Sequence, residues 1–145
     1  MNTEEKVEFL SRDTTFGILT RPALEIALTE LSDCALLYVI DIKNLHQLNR
    51  RHGYRYVNGL VRNILLRIQN TFPHVVIGRV FSGDEIAFVD PTQSLEMGDV
   101  IPFFPEIGFN SVVGWVEDGK DISYYSELLD ELTERFSNPL YTQII

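Results

Sequence analysis

The sequence predicts an α/β sandwich in which helices pack on a mostly antiparallel sheet. Three observations predict it. Ala35-Leu-Leu-Tyr-Val-Ile40 is a nearly unbroken apolar run ending in Asp41, the pattern of a central strand covered on both faces. Two shorter apolar runs, Val75–Ile77 and Ile86–Val89, flank Ser82-Gly83-Asp84, whose turn chemistry predicts an antiparallel hairpin. Val57, Leu60, Val61, Ile64, Leu65 and Ile68 recur at helical spacing on one face, with arginines on the other.

The remaining elements follow in chain order. Thr20 with Pro22 in the first turn marks a helix start, and Leu24, Ala27, Leu28 and Leu31 carry that helix to about Ser32. Leu45 and Leu48 sit in a short helix that Gly53 can end through a left-handed conformation, and the long arginine-bearing helix then runs to about Asn70, stopped by Pro73. From Asp90 to Phe109, three prolines and two glycines predict mostly loop. Ser111–Val116 reads as a strand. Ser123–Phe136 reads as a helix capped by Ser123, with Leu128, Leu129, Leu132 and Phe136 inward.

With 145 residues and 45% apolar content, the chain matches one ordinary domain with a continuous core. The longest apolar run is too short to span a bilayer, and the opening residues Met1 to Lys6 lack the basic and apolar regions of a signal peptide, so a cytoplasmic protein without membrane contact is expected. The single Cys34 lies inside an apolar run and reads as a reduced core thiol. A net charge of −9 argues against nucleic acid as a partner. The distribution of charge says more. From Ile42 to Gly83 there is no Asp or Glu, yet the segment holds seven of the twelve basic residues and all three histidines. Asp41 brackets it on one side and Asp84 with Glu85 on the other. A phosphate-rich ligand beside a carboxylate-bound cation suits that layout, as does a merely solvated basic helix face.

A carboxylate at a strand end and an acidic pair at a hairpin tip can converge into a cation site, although they lie 43 residues apart in sequence. Magnesium takes hard oxygen ligands, commonly one or two carboxylates plus substrate phosphates. An acidic pair at a turn is also commonly just solvated. His46, His52 and His74 are scattered without metal-ligand spacing. Trp115, Tyr124 and Tyr125 read as core or interface residues rather than a base-stacking platform.

Three segments carry a family resemblance. Asp13-Thr-Thr-Phe-Gly-Ile-Leu-Thr-Arg21 resembles the D-x-LTGLxNR opening of GGDEF domains, the diguanylate cyclase-like palm domains. Asp41-Ile-Lys-Asn-Leu-His-Gln-Leu-Asn49-Arg-Arg-His-Gly53-Tyr resembles their DIDxFKxINDxxGH segment, and Ser82-Gly-Asp-Glu-Ile86 resembles the GGDEF signature itself. The matches occur in the family's order with nearly its spacing, from Asp13 to about Trp115. The resemblance implies a palm-like fold in which Asp41 and Glu85 hold Mg²⁺ (or Mn²⁺), with Asp84 beside them and the Ile42 carbonyl as a further ligand. It implies that the peptide groups of Asn44 and Leu45 approach a triphosphate, with His46 nearby. It places Asn49 and Asn58 at the base, and Ser82 and Gly83 at the signature turn. In that family two protomers each hold one NTP, and each 3′-hydroxyl attacks the α-phosphate of the other, so the implied function is a nucleotidyl cyclase active as a homodimer.

Departures from the pattern are informative. Ser82 replaces the first Gly, Ile86 replaces Phe, Lys43 stands where a second Asp is usual, and His46 stands where a phosphate-contacting Lys is usual. Arg79 is one place further back than the family's arginine, which predicts an insertion or a bulge in that strand. The basic residues of the last helix are absent, and Pro73 and Val76 occupy the positions of the RxxD inhibitory site. Asn58 stands where the family has a base-reading Asp. An Asp accepts from guanine N1 and N2, whereas an Asn amide both donates and accepts, a pattern that also fits adenine. GTP is therefore the expected substrate, with ATP as an adenine-containing variant. The alternative reading is a catalytically degenerate domain that binds a nucleotide or a protein partner without turnover.

Overall fold

The segment Leu36–Ile42 forms the middle strand of a five-stranded sheet, because nearly every side chain in it is apolar and both of its faces are covered. The computed structural model describes residues 11–31, 35–43, 45–80, 85–104, 107–116, 121–135 and 141–143. Cys34 and Phe136 lie outside them. The elements are α1 (Arg21–Glu30), β1 (Leu36–Ile42), α2 (Leu45–His52), α3 (Tyr54–Thr71), β2 (Val76–Arg79), β3 (Glu85–Asp90), a short α4 (Met97–Val100) running into a 3-10 turn, β4 (Phe109–Trp115), α5 (Ile122–Arg135) and β5 (Tyr141–Gln143). The strand order is β2-β3-β1-β4-β5, antiparallel except for the parallel β4–β5 edge. This mixed α/β architecture is the one the sequence predicts. No helix among the described residues is long and apolar enough to cross a membrane.

Period-two alternation divides the sheet's side chains between two cores. Tyr38, Ile40, Ile86 and Phe88 point to one face, where the α3 stripe Val57, Val61, Ile64, Leu65 and Ile68 covers them. Leu37, Val39, Ala87 and Val89 point to the other, where Leu24 of α1 and Ile122, Tyr125 and Leu129 of α5 cover them. The second core is tightest where α1 crosses β2. A Cβ built on Gly78 would meet Cβ, Cδ1 and Cδ2 of the fully buried Leu24 at 2.9 Å. Gly78→Ala is expected to cost roughly 1–3 kcal/mol of stability through overpacking, read as a lower urea midpoint with an unchanged slope.

Helix ends show where side-chain chemistry sets the boundaries. Thr20 accepts from the Ala23 amide at 3.4 Å and caps α1, as expected. α5 begins one residue earlier than expected, and its cap is Asp121, whose carboxylate accepts from the Tyr124 amide at 3.1 Å. Ser123 does not cap; its hydroxyl accepts from Arg21 at 2.9 Å. Gly53 joins α2 to α3 at φ 86°, outside the range that most side chains adopt.

The described residues between 91 and 108 are mostly irregular, as the prolines and glycines predict, yet the segment is anchored. The Asp90 carboxylate is fully buried and accepts from the Thr92 amide and hydroxyl and from the Ser94 and Leu95 amides at 2.6–2.9 Å. Tyr38 donates its hydroxyl to the Leu95 carbonyl, and burial pushes that phenol up to about 12. The three-residue strand β5 was not expected from the sequence.

Candidate functional site

The strand register decides which carboxylates meet. In the β1–β3 ladder Asp41 pairs directly with Glu85, and in the β1–β4 ladder Asp41 pairs with Asn110. Directly opposed residues share a face. Glu85, Asp41 and Asn110 therefore form a polar row across three adjacent strands, continuing the rows Ala87, Val39 and Val112 of the α1/α5 core. Asn110 is fully buried, whereas Asp41 and Glu85 are half-buried at the open end of that core.

The layer above the row belongs to α5 and α1. Ser126 is buried on α5 and donates its hydroxyl to Glu85 Oε1 at 2.7 Å. Arg21, at the start of α1, donates to the Val80 carbonyl at 2.8 Å and ion-pairs with Glu25 at 2.7 Å. Burial pushes the Glu85 carboxyl up to about 7; the Ser126 hydrogen bond opposes the rise, the charges of Asp130 and Asp41 add to it, and Arg21 offsets part of it. Two carboxylates held side by side under this repulsion form the kind of oxygen pair that a divalent cation neutralises, so the donor set fits Mg²⁺. Among the described residues, no group of three His, Cys, Asp or Glu gathers at metal-ligating distance.

The other expected residues fall around this row or outside the described segments. Ile42 ends β1 with its side chain in the α3 core, and the next amide, Lys43, donates to the Gly108 carbonyl at 2.7 Å. Leu45 opens α2 four residues after Asp41 with its side chain buried, and no acidic residue lies in the first turn of that helix. His46 is exposed. Asn49 lies on α2, and its Oδ1 is buried without a hydrogen-bond partner. Asn58 is half-buried in the first turns of α3. Asn44, Ser82, Gly83 and Asp84 lie outside the described residues.

Arg79 holds a structural position. The β2–β3 ladder runs from Val76↔Val89 to Arg79↔Ile86 in constant register, so the expected bulge is not in the described strand. Pairing with Ile86 turns Arg79 to the α3 face, away from Glu85. There it forms a 2.8 Å ion pair with Asp13 and lies 4.4 Å from the Phe16 ring centroid. Asp13 in turn accepts from the Thr15 and Phe16 amides, and Gly17 turns the chain at φ 74°. The Asp and Gly of the opening signature thus build a loop fastened to β2.

Asn110 and Ser126 were missed by sequence reasoning. Asn110 left one signal: it lies two places before Val112, in phase with the apolar positions of that strand that face the α1/α5 core. Ser126 left none, since a serine within an amphipathic helix reads as surface.

No protein-family model matches this sequence, and no curated protein does. Solved structures do match. A microbial GGDEF domain described for its interaction with cyclic di-GMP superposes with a TM-score of 0.73 at 18% identity, over 96% of this chain and 99% of its own. The chain has the GGDEF-domain fold. Two further GGDEF structures agree. The coiled coil and GGDEF domain of DgcB from Caulobacter crescentus, in complex with c-di-GMP, gives 0.68 at 15% identity over 97% and 89% of the two chains. The GGDEF domain of FimX from Pseudomonas aeruginosa gives 0.69 at 12% identity over 92% and 99%. Asp41 and Glu85 pair in register on adjacent strands of that fold.

Proposed function

We propose that this chain is a divergent GGDEF-type nucleotidyl cyclase that joins two NTPs into a cyclic dinucleotide. The observation that carries the reading is the register pairing of Asp41 with Glu85 on adjacent strands, four residues before the N-terminus of α2. Mg²⁺ held by Asp41 and Glu85, with Asp84 and the Ile42 carbonyl, would neutralise phosphate charge there. The chain's own residues do the rest. The α2 N-terminus, which begins at Leu45, would direct amides and a positive dipole end toward a triphosphate, and the resemblance adds Asn44 to that contact. Asn49 has a buried amide oxygen without a partner and Asn58 lies one helix further on, and the resemblance would put both residues at the base. In the reaction, a 3′-hydroxyl of one NTP attacks the α-phosphate of the other and pyrophosphate leaves, twice over, across two facing protomers. Positioning and electrostatics carry most of such catalysis.

Base choice is set at Asn58. An amide that both donates and accepts fits adenine as well as guanine, so adenine-containing products are expected alongside cyclic di-GMP. Incubation with Mg²⁺ or Mn²⁺ and each NTP, alone and mixed, followed by mass spectrometry, tests both statements. Cyclic dinucleotides containing adenine support them; strict use of GTP with ATP inert removes the adenine preference; no cyclic product under any condition removes the cyclase.

One observation favours a second reading, a binding domain without turnover. The helix above the site presents Ser126 to Glu85 and adds the charge of Asp130, so its polar groups hold the carboxylate rather than a phosphate. In that case calorimetry would detect nucleotide or cyclic di-GMP binding in the absence of product.

A further inference from the structure

The sheet separates the basic helix pair α2–α3 from the acidic pair α1 and α5; Glu96, the N-cap of α4, and Asp99 within it are exposed on the α2–α3 side. On one side, α2 and α3 carry Arg50, Arg51, Arg55, Arg62 and Arg67, all exposed, and no acidic residue. On the other side, the described side chains of α1 and α5 include five exposed carboxylates, Glu25, Glu30, Glu127, Asp130 and Glu131, against the half-buried Arg21. Apolar cores on both faces of the sheet stand between these layers, on the order of 20 Å apart. Among the described residues no ion pair joins these two helix pairs across the sheet.

The basic layer is most developed at the α2–α3 corner. Residues 50 to 56 are exposed without a break, and among the described residues no carboxylate pairs with Arg50, Arg51 or Arg55. Tyr54 and Tyr56 are 66% and 61% exposed, and Tyr56 stacks against His52 with ring centroids 5.2 Å apart. Arginine and tyrosine together are the residues that dominate protein interfaces, being large, amphipathic and rich in donors. A net charge of −9 repels polyanions such as RNA and a second copy alike at long range, so the choice of occupant rests on the local patch, where an acidic helix meets the corner at contact distance. The acidic helix on hand is α5. Glu127 and Glu131 lie one turn apart on its exposed surface.

We propose that the protein self-associates head to tail, with the Arg50, Arg51, Arg55, Tyr54 and Tyr56 corner of one copy seated on the Glu127 and Glu131 face of α5 of the next. The contact joins two different surfaces, so it is heterologous and propagates to short stacks or a closed ring. It is distinct from the facing arrangement that cyclisation requires, and does not depend on turnover.

Light scattering across a concentration series tests it. At about 50 mM salt the mass should rise with concentration above the 16.7 kDa monomer, and at about 500 mM salt it should return to the monomer as screening removes the attraction. The triple variant Arg50→Glu, Arg51→Glu, Arg55→Glu and the double variant Glu127→Lys, Glu131→Lys should each be monomeric alone, with wild-type circular dichroism. Mixed in equal amounts they should associate again, because both junctions are then between opposite charges. A wild-type protein that stays monomeric at low salt overturns the proposal. So do variants that associate as the wild type does, a mixture that stays monomeric, or an oligonucleotide bound at the corner by a protein that never self-associates. The wild-type salt series decides the matter even if a variant fails to fold.

Discussion

Glu85→Gln is expected to abolish cyclic dinucleotide formation while making the folded protein more stable at pH 8. The two effects share a cause. Glu85 is held above its ordinary range, at about 7, by burial and by the charges of Asp130 and Asp41. A carboxyl whose folded pKa is raised contributes stability that is fully present below its unfolded value near 4.5 and is lost as pH rises through 7. At pH 8 the fold therefore carries a charge it disfavours. The half-exposed setting allows solvent to screen part of the penalty, so its removal is worth on the order of 1–2 kcal/mol. A gain of that size raises the melting temperature by about 2–8 °C. Gln keeps the carbonyl that accepts from Ser126, so the packing above the site survives the change.

A cation bound by Glu85 would offset the cost of that charge. Mg²⁺ should raise the melting temperature of the wild type at pH 8 and leave Glu85→Gln unmoved, because binding to the folded state is linked to stability. Asp41→Ala should also lose product, by roughly a hundredfold or more, with the fold intact. Equal stabilisation of wild type and Glu85→Gln by Mg²⁺ would show that the ion sits elsewhere. A wild-type melting curve flat between pH 5 and pH 8 would show that the Glu85 charge is already well solvated.

How much of this was legible beforehand depended on how far each feature relied on local pattern. β1 and α3 were plain, because an apolar run and a 3.6-residue stripe follow directly from burial on two faces and on one. The Asp41–Glu85 pair was legible through signature residues, and its register then followed from the β1–β3 pairing. Asp121 displaced Ser123 as the α5 cap since both are good caps two residues apart, and only tertiary contact with Arg21 distinguishes them. Arg79 looked like the family's arginine shifted by one place through an insertion or a bulge. Its partner Asp13 lies 66 residues away, a pairing that no local pattern exposes. Ser126 entered the site through packing of α5 over the sheet and Asn110 through the pairing of β4 with β1, both of which depend on the whole topology. β5 is three residues long and parallel to β4, too short to leave periodicity.

Asp90→Ala is expected to be the most destabilising single change away from the site, by roughly 3–5 kcal/mol. The contrast with Glu85 gives the reason, since both carboxylates sit on the same strand, one at each end. Burial would push both up. At Asp90 the Leu95, Thr92 and Ser94 amides and the Thr92 hydroxyl outweigh it, and the group titrates below the ordinary aspartate range. Glu85 has one hydroxyl donor, which is too little. Several short donors to one buried carboxylate therefore reverse the sign that desolvation alone would give. Removing the Asp90 side chain leaves those amides without an acceptor and releases the segment that carries Leu95 and Val100 into the α3 core. Asp90→Asn should cost somewhat less, about 2–4 kcal/mol, because the amide keeps one acceptor and turns its NH₂ toward donors. The depressed pKa also fixes the pH dependence: this stability is present above the ordinary aspartate value near 3.8 and is lost as pH falls through the lower folded value. Urea midpoints measured at pH 7 and at the lowest pH at which the wild type still unfolds cooperatively should thus separate wild type from Asp90→Asn more at the first than at the second. Equal separation at both would mean that packing, rather than the charged hydrogen bonds, holds the segment.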